Sequence, residues 1–153
     1  MEANKKKVLL ILLTIISTIT LTACGDTKVP PTESQFTESL TAKNFTIENQ
    51  TDTLNIATLK SYYIATESQG RYKYEYYVFE NEAAAQGYYV SKRDSLGGQG
   101  QNSEVTAGNI AKYTQIASDG YSVVSRVGSA ILYTKAPNEL RELVKEEVKE
   151  IGF

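Results

Sequence analysis

Histidine and tryptophan are absent from this chain of 153 residues, and cysteine and methionine occur once each. Without an imidazole there is no Ser–His or Cys–His dyad to take up and return a proton. A lone cysteine forbids an internal disulfide, and without histidine it also forbids a Cys/His zinc site. Charge is nearly balanced, with 16 Lys and Arg against 18 Asp and Glu. A nucleic-acid binder shows a basic face, so no nucleic-acid partner is expected. The acids are scattered rather than gathered into the oxygen-rich cluster that calcium needs. No metal and no cofactor is expected.

What the chain does have begins with one apolar run. Lys5, Lys6 and Lys7 precede sixteen residues, Val8 to Ala23, diluted by Thr14, Ser17, Thr18, Thr20 and Thr22. A spanning helix needs about 20 predominantly apolar residues. A positive end followed by a shorter apolar middle is the layout of an export signal. The run ends in Leu21-Thr22-Ala23-Cys24.

That ending resembles the lipobox of bacterial lipoproteins. The resemblance implies a diacylglyceryl thioether on Cys24 and cleavage between Ala23 and Cys24. Each buried methylene contributes about 0.8 kcal/mol, and two acyl chains hold far longer than one. The implied location is the extracytoplasmic face of the cell membrane, with membrane lipid as the partner of Cys24. The expected organisation is a signal peptide over 1–23, a lipidated tether over 24–31 and a single domain over 32–153. Pro30 and Pro31 favour an extended tether. Without the leader the chain carries 13 basic and 17 acidic side chains, a mild charge that argues against a polybasic membrane patch.

The domain opens with Thr32-Glu33-Ser34-Gln35, a capping box, with Phe36 and Leu40 on one helical face and Asn44 as a left-handed stop. Phe45-Thr46-Ile47 alternates like a strand. Leu59 to Glu67 and Arg71 to Glu80 read as a hairpin around Ser68-Gln69-Gly70. In its second strand Tyr72, Tyr74, Tyr76 and Val78 are assigned to the inner face, and Lys73, Glu75, Tyr77 and Phe79 to the outer. Asn81 caps a helix to about Leu96, and "GGQGQNS" reads as flexible linker. Three strands follow near 112–117, 121–127 and 130–135, with a type I′ turn at Asp119-Gly120 and a type II′ turn at Gly128-Ser129. Asn138 caps a closing helix, striped with Leu140, Leu143, Val144, Val148 and Ile151, that ends at Gly152. The expected class is α+β, in the order α-βββ-α-βββ-α, with an antiparallel sheet and helices packed on one face. Two α-βββ units suggest a duplication, although residue identity between them is poor. Tyr74-Glu75-Tyr76-Tyr77 and the meander from Tyr121 to Tyr133 are similar to pieces of small, uncharacterised lipoproteins of Gram-positive bacteria. That similarity implies no activity.

Eleven tyrosines lie between Tyr62 and Tyr133, six of them in adjacent pairs. Tyrosine suits strands, where it buries its ring while the hydroxyl reaches water. Adjacent residues of a strand point to opposite faces, so Tyr63 and Tyr77 are expected to point outward, side by side, as a candidate contact surface. Glu75 is expected on the solvated outer face. Glu139, Glu142, Glu146, Glu147 and Glu150, interleaved with Arg141, Lys145 and Lys149, read as a solvated helix face. Ser91 and Lys92 diverge by about 100° on a helix and cannot form a dyad. "GGQGQNS" lacks the Gly-Lys-Ser/Thr ending of a phosphate loop. The chain thus reads as a non-enzymatic binding or accessory module contacting an envelope protein or extracellular ligand. The alternative is a small-ligand or solute receptor.

Overall fold

The computed structural model describes residues 27–153. They form an α+β domain of three helices and a seven-stranded, wholly antiparallel sheet. Thr32 opens helix α1 (Glu33–Thr41) with the expected box: the Gln35 N–H donates to its hydroxyl oxygen, and its own N–H donates to the Gln35 side chain. Asn44, at φ 63°, turns the chain into β1 (Thr46–Asn49). Strands β2 (Leu59–Thr66) and β3 (Lys73–Phe79) make the hairpin, and α2 (Glu82–Ser95) follows, its first turn capped by Asn81. Then come β4 (Gln101–Ala107), β5 (Ile110–Ala117), β6 (Gly120–Val127), β7 (Ala130–Ala136) and α3 (Arg141–Ile151).

The spatial order is β1-β2-β3-β7-β6-β5-β4, so two meanders meet along β3 and β7. The second meander has four strands, not three. Residues assigned to the "GGQGQNS" linker supply the start of β4, and the rest of the segment is pinned by the Gln115 side-chain amide, which donates to the carbonyls of Leu96 and Gln99. Gly100 is required there: at φ +94° it passes so close to the Ile116 carbonyl that a Cβ would collide with it. The signal was hidden because β4 is an exposed edge strand with no apolar alternation to read.

The helices do not share one face. α1 and α3 pack on one side, where Phe36, Leu40, Val144 and Val148 meet Tyr74, Tyr76, Val123 and Leu132. α2 carries the chain from β3, mid-sheet, to the far edge across the other side, and its Ala85 and Tyr89 cover Tyr77, Phe79, Val124 and Ile131. Apart from exposed Lys73 and half-buried Val78, both sets of alternating residues in β3 are therefore buried, and neither is an outer face. The β5–β6 turn also differs from expectation. Its two loop residues are Ser118 and Asp119, and the positive φ falls on Gly120 alone, where a Cβ would press on the Ala136 carbonyl. At the β6–β7 turn Gly128 takes the positive φ and Ser129 does not, as type II′ requires. Asn138 does not cap α3. It sits in a 3-10 turn (Asn138–Leu140), and its side-chain amide donates to the Ala117 carbonyl. Gly152, left-handed at φ 105°, ends α3 as read.

Residues 28–31 are part of the fold rather than a free tether. The Asn109 side chain accepts from the Lys28 N–H at 3.0 Å and donates to the Lys28 carbonyl at 2.8 Å. Pro31 is buried, and its carbonyl accepts the Tyr76 hydroxyl at 2.6 Å.

Candidate functional site

Polar chemistry concentrates on the α2 side of the sheet, around Glu75. This residue is at mid-strand in β3, and its period-two neighbours Lys73 and Tyr77 point the same way. The residue is 8 % exposed, not solvated as the alternation of charges suggested. The Tyr77 hydroxyl donates to Oε2 at 2.5 Å, Lys92 Nζ reaches the same oxygen at 3.3 Å, and Lys73 Nζ lies 3.1 Å from Oε1. Burial alone would raise the Glu75 carboxyl. The Tyr77 hydrogen bond and the Lys92 and Lys73 charges outweigh it, and hold the group below the ordinary carboxylate range.

Aromatic rings wall this centre. Tyr62 stacks on Tyr77 with centroids 4.6 Å apart, and Tyr88 of α2 lies 4.8 Å from the same ring. Burial, followed by the Glu75 charge, pushes the Tyr62 hydroxyl up to about 12. Burial and the hydrogen bond to Glu75 push Tyr77 further still. Lys92 comes from the last turn of α2, and its ammonium sits 3.9 Å from the centroid of Tyr133, the cross-strand neighbour of Glu75. Lys92 keeps part of its surface in water, so the phenol face holds its ammonium by about 0.5–2 kcal/mol.

Beyond the C-terminal end of α2 the sheet is uncovered and forms a cleft of about 790 Å³. Lys92 and Tyr133 stand on its wall, with Gln115, Ser118, Asp119 and Lys135 around them. Lys135 and Asp119 form an ion pair at 2.5 Å. Glu75 thus acts through others: it fixes the Lys92 ammonium against Tyr133, so that a cation, a ring face and the Gln99 and Gln115 side chains meet at one polar cleft. Among the described residues no group of three acids or cysteines is placed to hold a metal ion.

Tyr63 and Tyr77 do not form a shared surface. The register sets Tyr62 opposite Tyr77 and Tyr63 opposite Tyr76, so the two candidates lie on opposite faces. Tyr77 is buried under α2, while Tyr63 is half-buried and donates to Glu33 Oε2 at 2.9 Å. Glu147, read as part of a solvated face, is also buried. Its Oε2 accepts the hydroxyls of Tyr72 and Tyr74, at 2.8 Å each. The hydroxyls of Tyr63, Tyr72, Tyr74, Tyr77 and Tyr89 all donate to carboxylates. A glutamate between tyrosines was the one local hint of the Glu75 centre. Ala23 and Cys24, the expected cleavage and lipidation positions, lie outside the described residues.

No family model and no curated protein matches the chain. Among solved structures the domain is similar to a GTP binding regulator from Thermotoga maritima. The two share 13% identity over 77% of this chain and 82% of that one, at a TM-score of 0.46. A likeness of that degree does not extend to function.

Proposed function

We propose that this protein is a lipid-anchored binding module, held by Cys24 at the extracytoplasmic face of the cell membrane and contacting an envelope protein or extracellular ligand without catalysing a reaction. The reading is carried by Leu21-Thr22-Ala23-Cys24 behind three lysines and an apolar run too short to span. Among the described residues no helix is long and apolar enough to cross a membrane. The non-catalytic role is supported by the Glu75 centre, where each charged group is already engaged. Cys24→Ser tests the anchor: the variant is expected to keep its leader and to lack acyl mass. An unchanged mature mass and unchanged detergent partitioning would refute the reading.

The cleft favours a second reading, a small-ligand receptor. Its volume lies within the range of small-molecule sites, and its wall offers an ammonium over an aromatic face beside amide and carboxylate groups. A ligand bound only by the native state must raise the melting temperature. A polar-metabolite panel that shifts wild type but not Lys92→Met would support this reading, whereas discrete crosslinks to one envelope protein in intact cells would favour the first.

A further inference from the structure

We infer that the domain stands on the bilayer by one defined end, the end of the sheet carrying the Asn109 and Gly128 turns, and holds the Lys92–Tyr133 cleft at the opposite end, away from the lipid. The inference rests on the lipid-anchored reading of Cys24 and adds a geometry to it. Only four peptide units separate Cys24 from Lys28, and at full extension they span at most about 14 Å. At Lys28 the slack ends. Its N–H and carbonyl are both taken by the Asn109 side chain, 81 positions away in sequence, and Pro30 then rests beside Gly128 at the β6–β7 turn. Pro31 is tied to β3 through Tyr76.

A chain clamped that close to its acyl group cannot let the domain tumble freely above the membrane. Val29, next to the clamp, is 82 % exposed, an apolar side chain placed where the bilayer interface would receive it. The cleft lies at the other end of the strands. β5 runs from Ile110, beside Asn109, to Ala117, on the cleft wall, a span of about 24 Å for eight antiparallel residues. The bound lipid surface therefore faces the Asn109 end, and a ligand or partner approaches from the aqueous side.

The test uses the full chain, processed in its host, with one added cysteine carrying a fluorophore. A thioether at Cys24 leaves that sulfur unreactive, so labelling is confined to the new site. Isolated membranes are supplemented with lipid bearing a headgroup nitroxide. Quenching is expected to be several-fold stronger at Ser129→Cys than at Ser118→Cys. Adding Asn109→Ala, or a flexible Gly/Ser insertion after Gly25, is expected to shrink that difference while leaving the protein in the membrane. Equal quenching at the two sites, in protein that carries acyl mass and resists an alkaline wash, overturns the orientation alone. Release on washing, with no acyl mass, overturns the anchor and the orientation with it.

Discussion

On the α1 and α3 side of the sheet, Glu147 accepts the hydroxyls of Tyr72 and Tyr74. On the α2 side Glu75 accepts one phenol and two ammonium groups. Both carboxylates are buried beneath tyrosines, and both were expected as surface charges. The difference lies in what surrounds them. Glu147 sits at the centre of a packed layer and is 3 % exposed, and no ion pair among the described residues involves it. Glu75 sits beside a cleft, and its ammonium partners keep part of their surface in water. One face uses a buried acid to lock Tyr74 of β3, and Tyr72 just before it, to a helix. The other uses a buried acid to hold a cation at an opening.

The largest expected effect would break both sides together. Burial raises the hydroxyls of Tyr72, Tyr74 and Tyr77 far above the ordinary tyrosine range, and the carboxylates they serve add to that. A raised folded-state value contributes stability that is complete below about pH 10 and is lost as pH rises beyond it. Phenolate absorbance is expected to appear cooperatively, together with loss of circular dichroism. Gradual phenolate formation in a protein that stays folded would contradict the hydrogen-bonded burial of these rings.

Next in size is Glu147→Ala, which strands two buried hydroxyls. At about 1–3 kcal/mol for each unsatisfied group, a loss of about 2–6 kcal/mol is expected in urea unfolding. Glu75→Ala strands only the Tyr77 hydroxyl, because Lys73 and Lys92 can turn to water, and a loss of about 1–3 kcal/mol is expected. Equal losses in the two variants would erase the contrast between a sealed and an opened face. The smallest effect is in acid. Since Glu75 is held below its ordinary value, its contribution is complete above about pH 4.3 and fades as pH falls through the folded-state value. Glu75→Gln is expected to flatten that acid limb, and an unaltered limb would mean that the ammonium groups do not hold the charge.

Much of the local structure was legible because its causes are local. The Thr32 box, the αL stop at Asn44 and the glycine end of α3 each involve atoms within a few residues of one another. The candidate site was not legible in the same way. Glu147 meets its tyrosines across 73 and 75 positions; its place three residues after Val144 and four before Ile151 puts it on the buried stripe, unlike Glu146 or Glu150, but nothing within α3 says which hydroxyls await it there. Glu75 looked solvated because alternation identifies two sets of side chains without saying how many helices arrive to cover them. The pairing of Tyr63 with Tyr77 failed on register, since a shift of one residue moves a ring to the other face.

By itself the sequence determined the α+β class, most element boundaries, the tyrosine-rich strands and the lipobox-like ending on which the proposed anchor depends. Those follow from short-range periodicity, capping and composition. Only the tertiary structure decided that α2 crosses to the second face, that β4 extends the sheet, that Glu75 and Glu147 are buried and that Lys28 is clamped to Asn109. These outcomes are contacts between distant segments, set by which surfaces remain to be covered once the strands have paired, and no local stretch of chain encodes that remainder.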